Sequence, residues 1–323
     1  MIVYTIKRIF VAFLILLVVS GLTFSLSHLS ADPALTIAGE QASDEDIEAV
    51  RKLYGFDKPV VEQYFNWLSS AVQGDLGKSY HYKAPVVEMI SGRIGTTMTL
   101  GFLAILFALV VSIPLGTIAA MRPNSIIDRF ALLLAVFGQA LPTFWFALMM
   151  IILFGVWLRW LPISGNTSWA HFVMPTIALG YYATPALMRL TRAGMIEVLS
   201  SDYIRTAKAK GLLPVSVLFK HALRNAIIPV VALAAVWFGF MLGGSIVIET
   251  IFNLKGIGWL SYDALLRSDL PVVQAIVLIF ASFYVILTLF ADLLNAYLDP
   301  RICLLYTSPS PRDRTRSRMP SSA

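Results

Sequence analysis

An all-α integral membrane fold with six spanning helices is predicted by three observations. Hydrophobic residues make up 58% of the 323-residue chain and charged residues only 14%, with a mean hydropathy of +0.75. A soluble domain carries about 25% charged and about 45–50% apolar residues, so the excess apolar surface must face something other than water. Six segments, 9–27, 97–120, 130–157, 171–190, 227–248 and 272–295, are long and apolar enough to cross a bilayer, which takes about 20 residues of helix. Lys and Arg then gather in alternate connecting loops, as the positive-inside rule requires.

The first apolar run follows Lys7 and Arg8. It is too long for the core of a signal peptide and no small-residue cleavage site follows it, so it is predicted to stay as the first helix. Residues 28–96 hold ten acids against six bases, which suits an extracytoplasmic face. Ser43 and Asp46 form a capping box for a short helix with Ile47, Val50, Leu53 and Tyr54 on one side, and Gly55 stops it. A second amphipathic stretch runs over 60–72, after Pro59 and before Gly74. These features predict a small helical extracytoplasmic subdomain.

Arg122 and Arg129 mark the 121–129 loop as cytoplasmic, and six bases against Glu197 and Asp202 mark 191–226 in the same way. The 158–170 loop has Arg159 alone, and 249–271 sets Glu249, Asp263 and Asp269 against Lys255 and Arg267. Both termini are therefore predicted to be cytoplasmic. Pro114, Pro142 and Pro185 lie within spans, where neighbouring helices can re-satisfy the backbone. Trp145, Trp157 and Trp160 stand toward span ends and suit an interfacial belt.

Few residues support chemistry. Cys303 is the only cysteine, and the four His have no partner at metal-ligand spacing. Gly77-Lys78-Ser79 matches the end of a phosphate loop, but Val72 stands where its first glycine is required; a turn before an extended segment is the simpler reading. The spans are nearly free of ionisable groups, which speaks against an intramembrane enzyme. Asp292 is the exception. An intramembrane acid is a functional candidate, as an ion-coupled carrier or channel would need. Asp292 also lies about two turns from Asp299 and Arg301, near the cytoplasmic surface, where it can hydrate or pair with a base.

The 200–229 segment carries the most information. Ser200, Ser201 or Asp202 can cap a short helix over 203–210, which Gly211 and then Pro214 end. Thr206, Ala207 and Gly211 are small enough for a partner's backbone to approach. Arg205, Lys208 and Lys210 can pair with acidic groups on a partner or with anionic lipid. A topology-fixing loop needs only the charge. The capped helix with a defined stop is a place where a separate motor can push.

DYIRTAKAKG at 202–211 and HALRNAIIPVV at 221–231 resemble the EAA loop of ABC importer permeases, in the form of the dipeptide, oligopeptide and nickel group. Segments 55–80, 94–116, 141–145, 160–165, 249–260 and 271–302 resemble that group in the same order, so the likeness covers essentially 1–302. Arg205-Thr206-Ala207 departs from the general Glu-Ala-Ala pattern.

The resemblance implies a type I importer (MetI-like) fold and the first permease of a pair. Its partners would be a second permease, two cytoplasmic ATPases, an extracytoplasmic solute-binding protein and the bilayer, with no nucleic acid. Asp202, Tyr203, Arg205, Thr206, Ala207, Lys208, Lys210 and Gly211 become the ATPase coupling helix. The chain itself would bind no cofactor; ATP and Mg would be used by the ATPases. Di- and oligopeptides are the implied cargo, with nickel, glutathione or another small peptide-like solute as alternatives.

The predicted organisation is a first helix at 1–27, the outer subdomain at 28–96, the permease domain at 97–302 and a separate tail at 303–323. The tail has five Ser, three Pro and four Arg without periodicity, and reads either as a basic disordered segment or as translated adapter sequence.

Overall fold

Long apolar helices dominate the computed structural model, which describes residues 2–30, 32–39 and 41–298; the 303–323 tail, Asp299 and Arg301 lie outside the described residues. Helix α1 (Ile2–Ser30) is followed by three short helices, α2 (Pro33–Ala38), α3 (Asp44–Tyr54) and α4 (Val60–Val72). The Ser43–Asp46 capping box closes α3, and Gly55 ends it at φ 72°. Gly77 turns the chain at φ 81°, and Lys78 then bridges Pro85, so Gly77-Lys78-Ser79 is a turn leading into extended backbone.

Helix α5 (Val86–Met121) begins at Val86, inside the segment expected to be subdomain. Its first turns are helical because Val86, Met89 and Ile90 are buried against Ile257, Leu260 and Val272 rather than against lipid. Apolarity marks the lipid-crossing part of a helix, not its start.

The chain then forms α6 (Ile126–Ala140) and α7 (Thr143–Met150), and α7 continues through wide π-type turns over Ile151–Trp157. The two helices are bent by 99° at the break beside Pro142. The expected 171–190 span is two helices, α8 (Ala170–Gly180) and α9 (Thr184–Ser200), parted by a turn over 181–183 ahead of Pro185. After α10 (Asp202–Ala209), α11 (Pro214–Ser216) runs on as a wide π-type segment, Val217–Leu223, into α12 (Arg224–Ala226). Helices α13 (Ile228–Ile251), α14 (Ile257–Leu266) and α15 (Leu270–Leu298) complete the fold.

Among the described residues, α1, α5, α13 and α15 are each long and apolar enough to span a membrane, and the bent α6–α7 pair passes together. Helix α5 is central, with Leu100, Ala104 and Ala108 packed among α8, α9 and α13. Helix α1 lies along α15 at the edge of the bundle. Phe10, Phe13, Val110 and Phe137 are all more than 60% exposed. Leaving each large apolar side chain in water forgoes about 2 kcal/mol, a cost that lipid removes.

Candidate functional site

Ser201 stands at the N-cap position of α10 with extended backbone, yet its hydroxyl donates to Val198 O at 2.6 Å and closes α9 instead. No side-chain hydrogen bond caps α10, so the expected cap is positional only. At the other end the stop is made as predicted. The Gly211 amide donates to Lys208 O at 3.0 Å and the Leu212 amide to Ala207 O at 3.4 Å, with Gly211 at φ 76°. That is the Schellman pattern, which a glycine closes without strain.

The helix is amphipathic across its short length. Ile204 and Ala207, three residues apart, are buried among Met195, Val217, Ala222 and Ala226. Ala207, expected on the partner-facing stripe, therefore faces inward; its small side chain admits the wide turn below it. Asp202, Tyr203, Arg205, Thr206, Lys208, Lys210 and Gly211 point outward. Arg205 meets Asp202 at 3.4 Å, but both are exposed and the pair contributes little. Tyr203 is fixed by the Asn225 amide, which donates to its hydroxyl at 2.8 Å. Beyond the stop, Leu213, Val215 and Phe219 stand exposed beside the charged face. The sequence reading passed over these three because a short apolar run between helices looks the same whether it is buried or displayed.

The segment is anchored to the bundle by Arg192. Its guanidinium grips Asp128 in two bonds, Nε to Oδ1 at 2.5 Å and Nη2 to Oδ2 at 2.7 Å, while the Asn124 amide donates to Asp128 Oδ2 at 2.8 Å. Asp128 is 1% exposed. A two-bond ion pair of this kind fixes orientation as well as distance. It ties the first turn of α6 to α9, and α9 leads directly into α10.

At the far end of the bundle, Glu249 lies inside α13 rather than in a loop, and is fully buried. It accepts the Thr97 hydroxyl at 2.8 Å, the Ser245 hydroxyl at 3.0 Å and the Trp259 amide at 2.9 Å. Gly256 admits this approach, since a Cβ there would stand 2.5 Å from Thr97 Oγ1. Asp269, also fully buried, accepts the Ser79 hydroxyl at 2.5 Å and the Tyr80 amide at 2.9 Å. Both acids looked like loop charge in the sequence. The available signal was the Gly256-x-Gly258 pair close behind Glu249.

Asp292 pairs with Arg8 of α1 at 2.9 Å, and the Arg8 Nε also donates to Tyr4 at 3.2 Å. Among the described residues no group of His, Cys, Asp and Glu is arranged to hold a metal ion.

The geometry is that of a bundle of long apolar helices carrying one short helix, α10, whose charged face points away from it. Residues 112–303 match the family described as binding-protein-dependent transport system inner membrane component, and 1–101 match its N-terminal region. The chain belongs to that family and is a permease of a binding-protein-dependent ABC importer. It is 41% identical over 300 residues to the glutathione transport system permease protein GsiC of Escherichia coli K12, covering 93% of this chain and 98% of that one. The protein of the same name from Shigella flexneri serotype 5b matches to the same extent. Two structures of the MetNI methionine ABC transporter share the fold, with TM-scores of 0.51 and 0.52 at 17% identity. They cover 65% of this chain and 96% of the chain compared.

Proposed function

We propose that this chain is the first permease of a type I importer pair in a bacterial inner membrane. It has six spans, the broken α6–α7 and α8–α9 pairs counting as one each. Both termini and the 191–226 loop face the cytoplasm; residues 28–96 form an extracytoplasmic subdomain ahead of the 97–302 permease domain. A second permease completes the path. Two ATPases bind ATP and Mg, this chain binding neither, and a solute-binding protein delivers cargo to the outer loops. The favoured cargo is a small peptide-like solute, from the identity with permeases named for glutathione transport; di- and oligopeptides are the wider class.

The observation that carries this reading is α10 itself. Its underside is held by Ile204 and Ala207 while Tyr203, Lys210 and Leu213 point away from the bundle. An ATPase gripping that face can transmit closure through α9 and the Arg192–Asp128 pair into the spans. Alternating access is then a shift between two packings, biased by nucleotide on one side and by loaded binding protein on the other. A stand-alone ion-coupled carrier is less well supported, because Asp292, Glu249 and Asp128 each already have hydrogen-bonding or ionic partners.

The test is ATP-driven glutathione uptake in proteoliposomes holding the whole importer. Nothing lies within 4 Å of a Cβ built at Gly211, but its φ of +76° strains any side chain, so Gly211→Trp should insert and melt somewhat below wild type. Its backbone costs about 1–2 kcal/mol locally, and the bulk stands where the ATPase would sit. Uptake should fall to background. Normal coupled uptake by this variant would remove the coupling role from α10.

A further inference from the structure

A cavity of about 690 Å³ opens between α1, α4, the 75–83 turn and the start of α15. Ligand pockets span about 300–1,000 Å³ and are mostly apolar with a few placed polar groups. Phe24, Phe56, Trp67 and Tyr80 supply apolar walls, and Lys58, Lys78 and Lys83 line the same space. Lys58 is engaged by Glu62 at 2.7 Å. Lys78 and Lys83 have no ion pair among the described residues. The one lining acid, Asp75, already accepts the Gly77 amide at 2.9 Å. With Lys58 matched by Glu62, Lys78 and Lys83 exceed Asp75 by one positive charge in the lining.

Gln274 gives the second, independent observation. It is 5% exposed, it lines the cavity, and its amide makes no hydrogen bond among the described residues. Its polar atoms open onto the cavity, where a ligand's peptide group can meet them in place of water. The walls are held in place before any ligand arrives. Asp269 pins Ser79 and Tyr80, Tyr64 shares a hydroxyl hydrogen bond of 2.8 Å with Ser20, and Trp67 packs on Phe24 at 5.8 Å between ring centres.

We infer that this cavity binds a short peptide, with its terminal carboxylate at Lys78 and Lys83, a peptide group at Gln274 and its apolar part against Phe24 and Trp67. The inference rests on the proposed outward placement of residues 28–96 and deepens it. The permease would take hold of cargo itself, ahead of the path between the spans.

The experiment is calorimetric titration of the full-length permease, without ATPases, in phosphatidylcholine nanodiscs, using trialanine and trialanine amide as probes. Trialanine should bind saturably, and the amide about ten-fold more weakly or worse. Lys78→Gln with Lys83→Gln should weaken trialanine about ten-fold and leave melting unchanged, since both side chains are exposed. Gln274→Leu should weaken acid and amide alike. No saturable binding, equal affinity for acid and amide, or full affinity in the lysine variant would overturn the assignment. So would loss of trialanine binding in nanodiscs containing phosphatidylglycerol, which would give the site to a lipid headgroup. Uptake by the complete importer is measured separately, so failure here leaves the coupling-helix reading standing.

Discussion

Thr97 and Glu249, on α5 and α13, are joined by a 2.8 Å hydrogen bond, and the Thr97 oxygen also accepts the Ile257 amide at 2.8 Å. One side-chain pair therefore fastens two spans and the first turn of α14. Glu249→Ala leaves the Trp259 amide and the Thr97 hydroxyl without their acceptor, while the Ser245 hydroxyl keeps Leu242 O at 2.8 Å. The expected loss is about 2–3 kcal/mol, from the cost of stranded buried donors. Glu249→Gln keeps an acceptor and should lose less. Thermal melting in detergent ranks the two variants; a Glu249→Ala melting point equal to wild type would mean the network carries no stability.

These contacts show what the sequence could and could not disclose. The α3 capping box and the Gly211 stop were legible because their partners lie within five residues along the chain. Spans were legible because lipid imposes length and apolarity. Glu249 was expected in a loop but lies in α13, and the burial of Asp269, which does stand in a loop, was not legible, because their partners, Thr97 and Ser79, are 152 and 190 residues away. The inward turn of Ala207 was hidden for a related reason. A small residue on a short helix suits a partner's backbone and a tight internal contact equally, and only the packing under α10 decides.

Asp128 and Arg192 make the corresponding link at the α10 end. Arg192→Ala strands a carboxylate that is 1% exposed, and breaking a buried pair costs about 3–5 kcal/mol. The Arg192 side chain is 22% exposed, which places the expected loss near the lower end of that range, about 3 kcal/mol. Chemical denaturation reads the loss. Asp128→Asn combined with Arg192→Gln should recover part of it, because no charge is then left buried. A double variant as unstable as the single would refute the ion-pair account.

Acid should loosen the Tyr82–Asp263–Arg267 clamp. The Tyr82 hydroxyl donates to Asp263 at 2.5 Å and Arg267 Nε lies 3.0 Å from the same oxygen. Burial alone would raise the Asp263 carboxyl, but the hydrogen bonds from Tyr82 and Arg267 hold it below its ordinary 3.8. Its stabilisation is present above that value and is lost as pH falls through the depressed one. The Asp263 hydrogen bond raises the Tyr82 phenol above 10.0, so that contribution holds at neutral pH and fades only in strong base. Protection of the Tyr82 amide, bonded to Ser79 Oγ at 2.8 Å, relative to the intrinsic exchange rate at each pH should fall below about pH 4. Asp263→Asn should abolish that acid-dependent loss of protection, and an unchanged profile in the variant would assign it elsewhere.

A coupling role for α10 requires the ATPase to sit on its outward face and exit. Photo-crosslinking reads this directly, with a benzophenone amino acid in place of Leu213, which is 73% exposed, and a control in place of Leu53, 79% exposed on α3. The Leu213 position should give a covalent adduct with the importer's ATPase and the Leu53 position none. An adduct absent at Leu213, or present at Leu53, would contradict the assignment of α10 as the coupling helix.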